Sequence, residues 1–150
     1  MANTFKIGYL PLSKVNWTND TLEAASAEAA CCIFEGLAWY APVNGPYKDA
    51  VSPVYRVYNQ YNGEHHYTTS NVEALSLVAA GWTDEGTGFY TTTKGDAKAK
   101  AVYRLFNQYA EVGTHHYTTS EEEYNELGKI GWTQEKVGWY GVKVDNDFRV

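Results

Sequence analysis

The sequence predicts a single α+β domain over residues 1–150, built from three β-β-α-β repeats. Three copies most simply close around a pseudo-threefold axis, with an open row of units as the alternative. Three observations predict this. The chain has 150 residues, the size of one domain that buries roughly two-thirds of its surface without a staple. Aromatic residues reach 15% beside 20% charged residues, which excludes a disordered chain. One block of sequence also recurs, and a period of this size marks a repeat architecture.

The repeat is plainest in its second and third copies, 54–90 and 102–140. With one two-residue insertion before Gly113, 21 of 37 positions are identical, including V-Y-R, N-Q-Y, H-H-Y-T-T-S and G-W-T. A degenerate first copy spans 4–40. Shifted by fifty residues, it places Thr18, Glu23, Ser26, Glu35, Gly36 and Tyr40 on identical residues, and Trp39 on Phe89. It lacks the His-His pair, and Cys31-Cys32 replaces Gly81-Trp82. The connections 41–53 and 91–101 suit the surface.

Each unit has a legible order. Val54 to Asn59 alternates and is rich in β-branched and aromatic residues, so it is a strand. Asn62-Gly63 is a hairpin turn, and His65 to Thr69 returns as a second strand. Ser70-x-x-Glu73 is a capping box that opens a helix, repeated at Ser120-x-x-Glu123 and as Asp20-x-x-Glu23. Gly81 and Gly131 stop the helices. The inner helix face is Ala74, Leu77 and Val78, matched by Tyr124, Leu127 and Ile130. Trp82 to Tyr90 is a third extended segment. So short a helix is unstable alone and must pack on a sheet.

Composition bounds the function. A net charge of −6 argues against a nucleic-acid binder. No apolar run is long enough for a membrane span. The N-terminus lacks a secretory pattern, so the chain is expected to be cytoplasmic, released without a classical signal, or a domain of a larger secreted protein. The two cysteines are adjacent, a poor arrangement for a disulfide with each other. Asn16-Trp-Thr18 and Asn19-Asp-Thr21 fit the glycosylation pattern.

The His-His strands come first among candidate sites. Strand neighbours point to opposite faces, so His65, Tyr67 and Thr69 share one face, and His66 and Thr68 the other. The same alternation separates His115 and Tyr117 from His116 and Thr118. Zinc needs three or four converging ligands, and adjacent histidines diverge, so neither a metal nor a cofactor is expected. Ser70 and Ser120 are explained as caps, which leaves no nucleophile–base–orienter set. A carboxylate pair can hydrolyse glycosides, but Glu85 and Glu135 occur once per repeat. Repetition suits several equivalent binding sites, which gain by avidity, so no catalytic residue is expected. Arg56 and Arg104 either pair with the recurring glutamates and rings or offer a fork to a ligand. Trp82, Phe89 and Tyr90, with Trp132, Trp139 and Tyr140, offer faces for a sugar ring. One member of each adjacent pair, Phe89-Tyr90 and Trp139-Tyr140, is expected in the core.

These motifs resemble a repeat family of unknown function whose units read Y-R-(L/V)-Y-N, G-x-H-x-Y-T-T-S, G-W and E-G-x-G-W-Y. The second copy matches at Tyr55-Arg56, Asn59, Gly63, His65, Tyr67 to Ser70, Gly81-Trp82, Glu85-Gly86 and Gly88-Phe89-Tyr90. The third departs at Lys136, where the family has glycine. The resemblance implies an accessory module, of the kind found beside cell-wall hydrolases and glycosidases in bacteria and in small fungal proteins. The expected function is a non-catalytic carbohydrate-binding module, lectin-like or cell-wall-binding, with up to three pseudo-equivalent pockets. The expected ligand-binding residues are Arg56, Asn59, His65, Tyr67, Trp82 and Glu85, with Arg104, Asn107, His115, Tyr117, Trp132 and Glu135. A protein-interaction or inhibitor module and a glycoside or cell-wall hydrolase are the alternatives.

Overall fold

The computed structural model describes residues 3–7, 32–37, 39, 41, 52–92, 94–95, 97–111 and 114–142. Strands β1 (Asn3–Ile7) and β2 (Cys32–Leu37) pair in parallel, and their backbone alone is described. One three-stranded unit follows, with β3 (Pro53–Asn59), β4 (Glu64–Thr68), helix α1 (Asn71–Ala79) and β5 (Thr83–Tyr90). A second has β6 (Ala99–Phe106), β7 (His115–Thr118), α2 (Glu121–Lys129) and β8 (Thr133–Val142). Both sheets are antiparallel, in the orders β4-β3-β5 and β7-β6-β8.

The described residues are therefore mostly β, with two short helices and two sheet units. This corrects the expected α+β domain of three β-β-α-β repeats closed around a pseudo-threefold axis. The strand pairing gives the reason. β3 and β5 run antiparallel, whereas β1 and β2, at the corresponding places of the first copy, run parallel. A parallel pair needs a different crossover, so the first copy does not repeat the unit. Trp17, Asp20, Cys31 and the sequons at Asn16 and Asn19 lie outside the described residues.

Within each unit, local chemistry explains the elements. Ser70 and Ser120 cap the helices, their hydroxyls accepting the Glu73 and Glu123 N–H groups at 3.2 and 3.1 Å. The reciprocal half of the box is replaced. The Ser70 and Ser120 N–H groups donate to the Thr68 and Thr118 hydroxyls, and the glutamate carboxylates take other partners, Arg104 for Glu73 and Thr118 and His116 for Glu123. Gly81 and Gly131 follow the helices at φ of 100° and 105°, a conformation that glycine alone adopts without cost. Ala74 is buried with Leu77 and Val78 partly so, while Ile130, expected inside, is 75% exposed. Tyr124 anchors α2 by stacking on Tyr103 at 4.7 Å.

The core joins the two units. Trp39, Phe89 and Trp139 meet edge to face or tilted, with centroids 5.5–6.5 Å apart, over buried Val54, Val102 and Ala41. Phe89 and Trp139 are thus the core members of their pairs. The connection 91–101 is less superficial than expected. Thr91 and Thr92 are buried, and the Thr92 N–H donates to the Tyr140 carbonyl at 2.8 Å.

Candidate functional site

The two sheets alternate side chains in the same way, so each unit has a front and a back. The front of the first unit carries Arg56, His65 and Glu85. Arg56 Nε lies 2.5 Å from Glu85 Oε2, and His65 Nε2 3.4 Å from the same oxygen. The front of the second unit repeats this set, with Arg104 Nε 2.7 Å and His115 Nε2 3.6 Å from Glu135 Oε2. The rings of Tyr58 and Phe106 lie against His65 and His115. Six expected site residues therefore converge as two equivalent trios, and each Arg pairs with its recurring glutamate.

The other six do not join them. Asn59 and Asn107 fold back on their own turns, accepting the Tyr61 and Tyr109 N–H groups at 3.0 Å. Such turns are what a short amide side chain does best. Trp82 and Trp132 sit edge-on to His66 and His116, on the opposite face from His65 and His115. Tyr67 and Tyr117 pack against the central core. The buried Tyr117 hydroxyl accepts the Tyr67 N–H at 3.0 Å and donates to the Tyr67 carbonyl at 3.2 Å, and burial pushes its pKa up.

The back of the first unit covers the front of the second. Glu73, freed from its capping role, grips Arg104 with both oxygens, at 3.0 Å from Nη1 and 3.2 Å from Nη2. Burial would raise the Glu73 carboxyl, but the Arg104 guanidinium and the Thr68 hydroxyl outweigh it and hold the pKa down at about 2. Glu64 accepts from the Thr114 hydroxyl at 2.6 Å and from His115 Nδ1 at 3.0 Å. Those bonds keep its pKa lowered against the opposing effect of burial.

His66 lies at the centre of this seam, its ring centroid 4.3 Å from that of His115. Arg104 Nη1 stands 3.4 Å from His66 Nε2. Glu73 Oε1 stands at the same distance from that nitrogen. Nδ1 faces the Tyr117 oxygen at 3.3 Å. Burial pushes the His66 pKa down to about 4, and the charges of His115 and Arg104 add to this against Glu73. His66 is neutral at pH 7.

Above the cluster the seam opens as a cleft of about 180 Å³. One side is the end of β4 and the start of α1, with Tyr67 to Ser70 and Glu73. The other is Arg104 with Glu135 and Val137 to Trp139. Sequence reasoning missed Glu64, His66 and Glu73 because a capping box and an inward-facing histidine have sufficient local explanations. The available signal was at Glu64, the one hairpin position where a carboxylate in one copy faces a hydroxyl residue, Thr114, in the other.

Among the described residues no three His, Cys, Asp or Glu side chains are grouped to hold a metal ion. No helix among them is long and apolar enough to cross a membrane. Tyr61 and Tyr109, at the hairpin tips, are 82% and 80% exposed, and no other aromatic among the described residues is as open. The Asn62 side-chain amide donates to the Glu111 carbonyl at 3.4 Å, linking the two tips.

The sequence profile of the family described as Domain of unknown function (DUF5648) matches residues 13–142. No curated protein and no solved structure matches the chain. The chain belongs to the DUF5648 family.

Proposed function

We propose that this chain is a non-catalytic carbohydrate-binding module whose ligand lies in the seam cleft. The observation that carries the reading is the lining of that cleft. Thr and Ser hydroxyls, two carboxylates and a guanidinium line it together with the partly buried Tyr67 and the buried Trp139. A sugar needs directed hydrogen bonds for its hydroxyls and an aromatic surface for its C–H face.

Binding is favoured over hydrolysis by the state of the carboxylates. A glycosidase needs one carboxylic acid held protonated near neutral pH. Glu73 is held in the opposite direction, and Glu135 is paired with the same Arg104. A second reading, a protein-interaction or inhibitor module, is favoured by the open tyrosines at the hairpin tips, because exposed aromatics anchor protein interfaces.

A glycan array and a pull-down on isolated cell walls test the proposal. Thr69, on the exposed rim, is replaced by Trp to fill the cleft without touching the core. Binding that Thr69→Trp abolishes supports the cleft. Absence of any glycan or wall binding refutes the reading, and a protein pull-down that survives free sugars favours the second one.

A further inference from the structure

We infer that the seam cleft selects an amino sugar, a glycan unit with a free ammonium, over a uronic or other acidic sugar. The inference rests on the glycan reading above and goes further by fixing the charge of the ligand. The charged groups lining the cleft are Glu73, Glu135 and Arg104, two negative and one positive, which leaves one net negative charge.

That positive charge is already occupied. Arg104 gives Nη1 and Nη2 to Glu73, its Nε pairs with Glu135 Oε2 at 2.7 Å, and Nη1 also stands against His66. A ligand carboxylate is recognised best by a free guanidinium fork. Here it would have to displace a carboxylate already seated, beside a second one. The glutamate side chains are also the more exposed, Glu73 above all, since Glu135 Oε2 is itself buried. The Glu73 and Glu135 side chains are 35% and 26% exposed, against 17% for Arg104.

An ammonium meets the reverse situation. Each carboxylate oxygen has two lone-pair directions, so the Glu73 oxygens that accept from Arg104 keep capacity for a further donor. A charge-assisted bond to an amine then forms with nothing displaced. The Ser70 oxygen accepts the Glu73 N–H and keeps its own proton for a sugar oxygen. A neutral sugar would gain the hydroxyl bonds but not the charge.

Calorimetric titration with glucosamine, N-acetylglucosamine and galacturonate oligosaccharides of equal length tests this, at low salt and a pH where the amine is charged. The glucosamine oligomer is expected to bind about tenfold tighter than galacturonate, from one net charge at close range. Its lead over the N-acetylated oligomer should shrink as salt screens the cleft, and should shrink again in Glu135→Gln. Equal binding of the glucosamine and N-acetylated forms, or galacturonate binding as tightly, overturns the inference and leaves the glycan reading standing. No binding by any oligosaccharide, on the array or here, overturns both. The salt series uses the unaltered chain, so the inference stays open to refutation even if Glu135→Gln fails to fold.

Discussion

Removing the charge of Glu73 should loosen the joint between the two sheet units. In Glu73→Gln the capping N–H to the Ser70 hydroxyl remains, so the helix keeps its start. The lost element is the two-oxygen grip on Arg104. The Glu73 pKa falls from 4.5 to about 2 on folding, equivalent to roughly 3 kcal/mol at ~1.4 kcal/mol per unit. A third of the side chain is exposed, so solvent screening reduces this to about 2 kcal/mol. Arg104 retains Glu135, so the larger cost of an isolated buried charge is avoided. Thermal unfolding should shift down by about 4–8 °C for a chain of this size. The pH dependence follows from the direction of the shift. A depressed carboxylate pKa stabilises the fold fully above 4.5 and loses that contribution as pH falls toward 2. The gap between variant and parent should be constant from pH 6 to 8 and close progressively below 4.5. Chemical denaturation across that range is the assay. A gap at pH 7 below about 0.5 kcal/mol, the size of an ordinary surface pair, would refute the assigned role.

Three further outcomes are expected. His66 is neutral in the fold with its pKa pushed down to about 4 from 6.5, so the unfolded chain takes up a proton first. Stability should therefore fall by roughly 3 kcal/mol in total from pH 6.5 down to 4, and His66→Gln should flatten that slope in a urea titration. Lys136 holds φ of 70° where its counterpart Gly86 has 76°, a conformation costing a side-chain-bearing residue roughly 1–2 kcal/mol. Lys136→Gly keeps the backbone N–H that donates to the Tyr124 hydroxyl. It should raise the melting temperature by about 3 °C after the entropy of glycine is subtracted, and a fall would contradict the strain argument. A methyl group on Gly141 would stand 2.6 Å from Trp39 Cδ1 and 2.9 Å from Cγ. Trp39 is buried against both Phe89 and Trp139, so Gly141→Ala should cost about 1–3 kcal/mol, and calorimetry showing no change would place Trp39 elsewhere.

What was legible in the sequence was local. Alternation in Val54 to Asn59, the turn at Asn62-Gly63 and the caps at Ser70 and Ser120 define elements that the structure contains. The Arg–Glu pairing followed from recurrence alone. The strand alternation also separated His65 from His66 correctly, because a period of two leaves no choice of face. The packing direction between units was not legible. A repeat alignment treats copies as equals, and nothing in a shared motif says which face of one meets which face of the next. The pairing sense of β1 and β2 was hidden for a related reason, since the same residue pattern suits a parallel or an antiparallel partner. Glu73 illustrates the limit. Its spacing from Ser70 fully accounts for a capping box, yet its carboxylate serves Arg104, thirty-one residues away.

Head-to-tail packing has a consequence for what two nearly identical units can do. Their equivalent histidines end in different surroundings. The His65 side chain is 36% exposed and that of His115 16%, while His66 is 2% exposed and His116 29%. Where back meets front, side chains that point to opposite faces in their own sheets come together, as His66 and His115 do. The seam cleft depends on this. Ser70 and Glu73 come from one unit, and Arg104 and Glu135 from the other. Neither sheet unit holds the set by itself, so separating the units would abolish the cleft without altering either unit's own Arg–His–Glu trio. Recurrence of that trio therefore does not duplicate the site. The groups that complete it, Glu64 and Glu73, act across the joint on Thr114, His115 and Arg104. An asymmetric pocket can thus arise from repeated sequence because the interface is heterologous, and its selectivity would be set by residues at the joint.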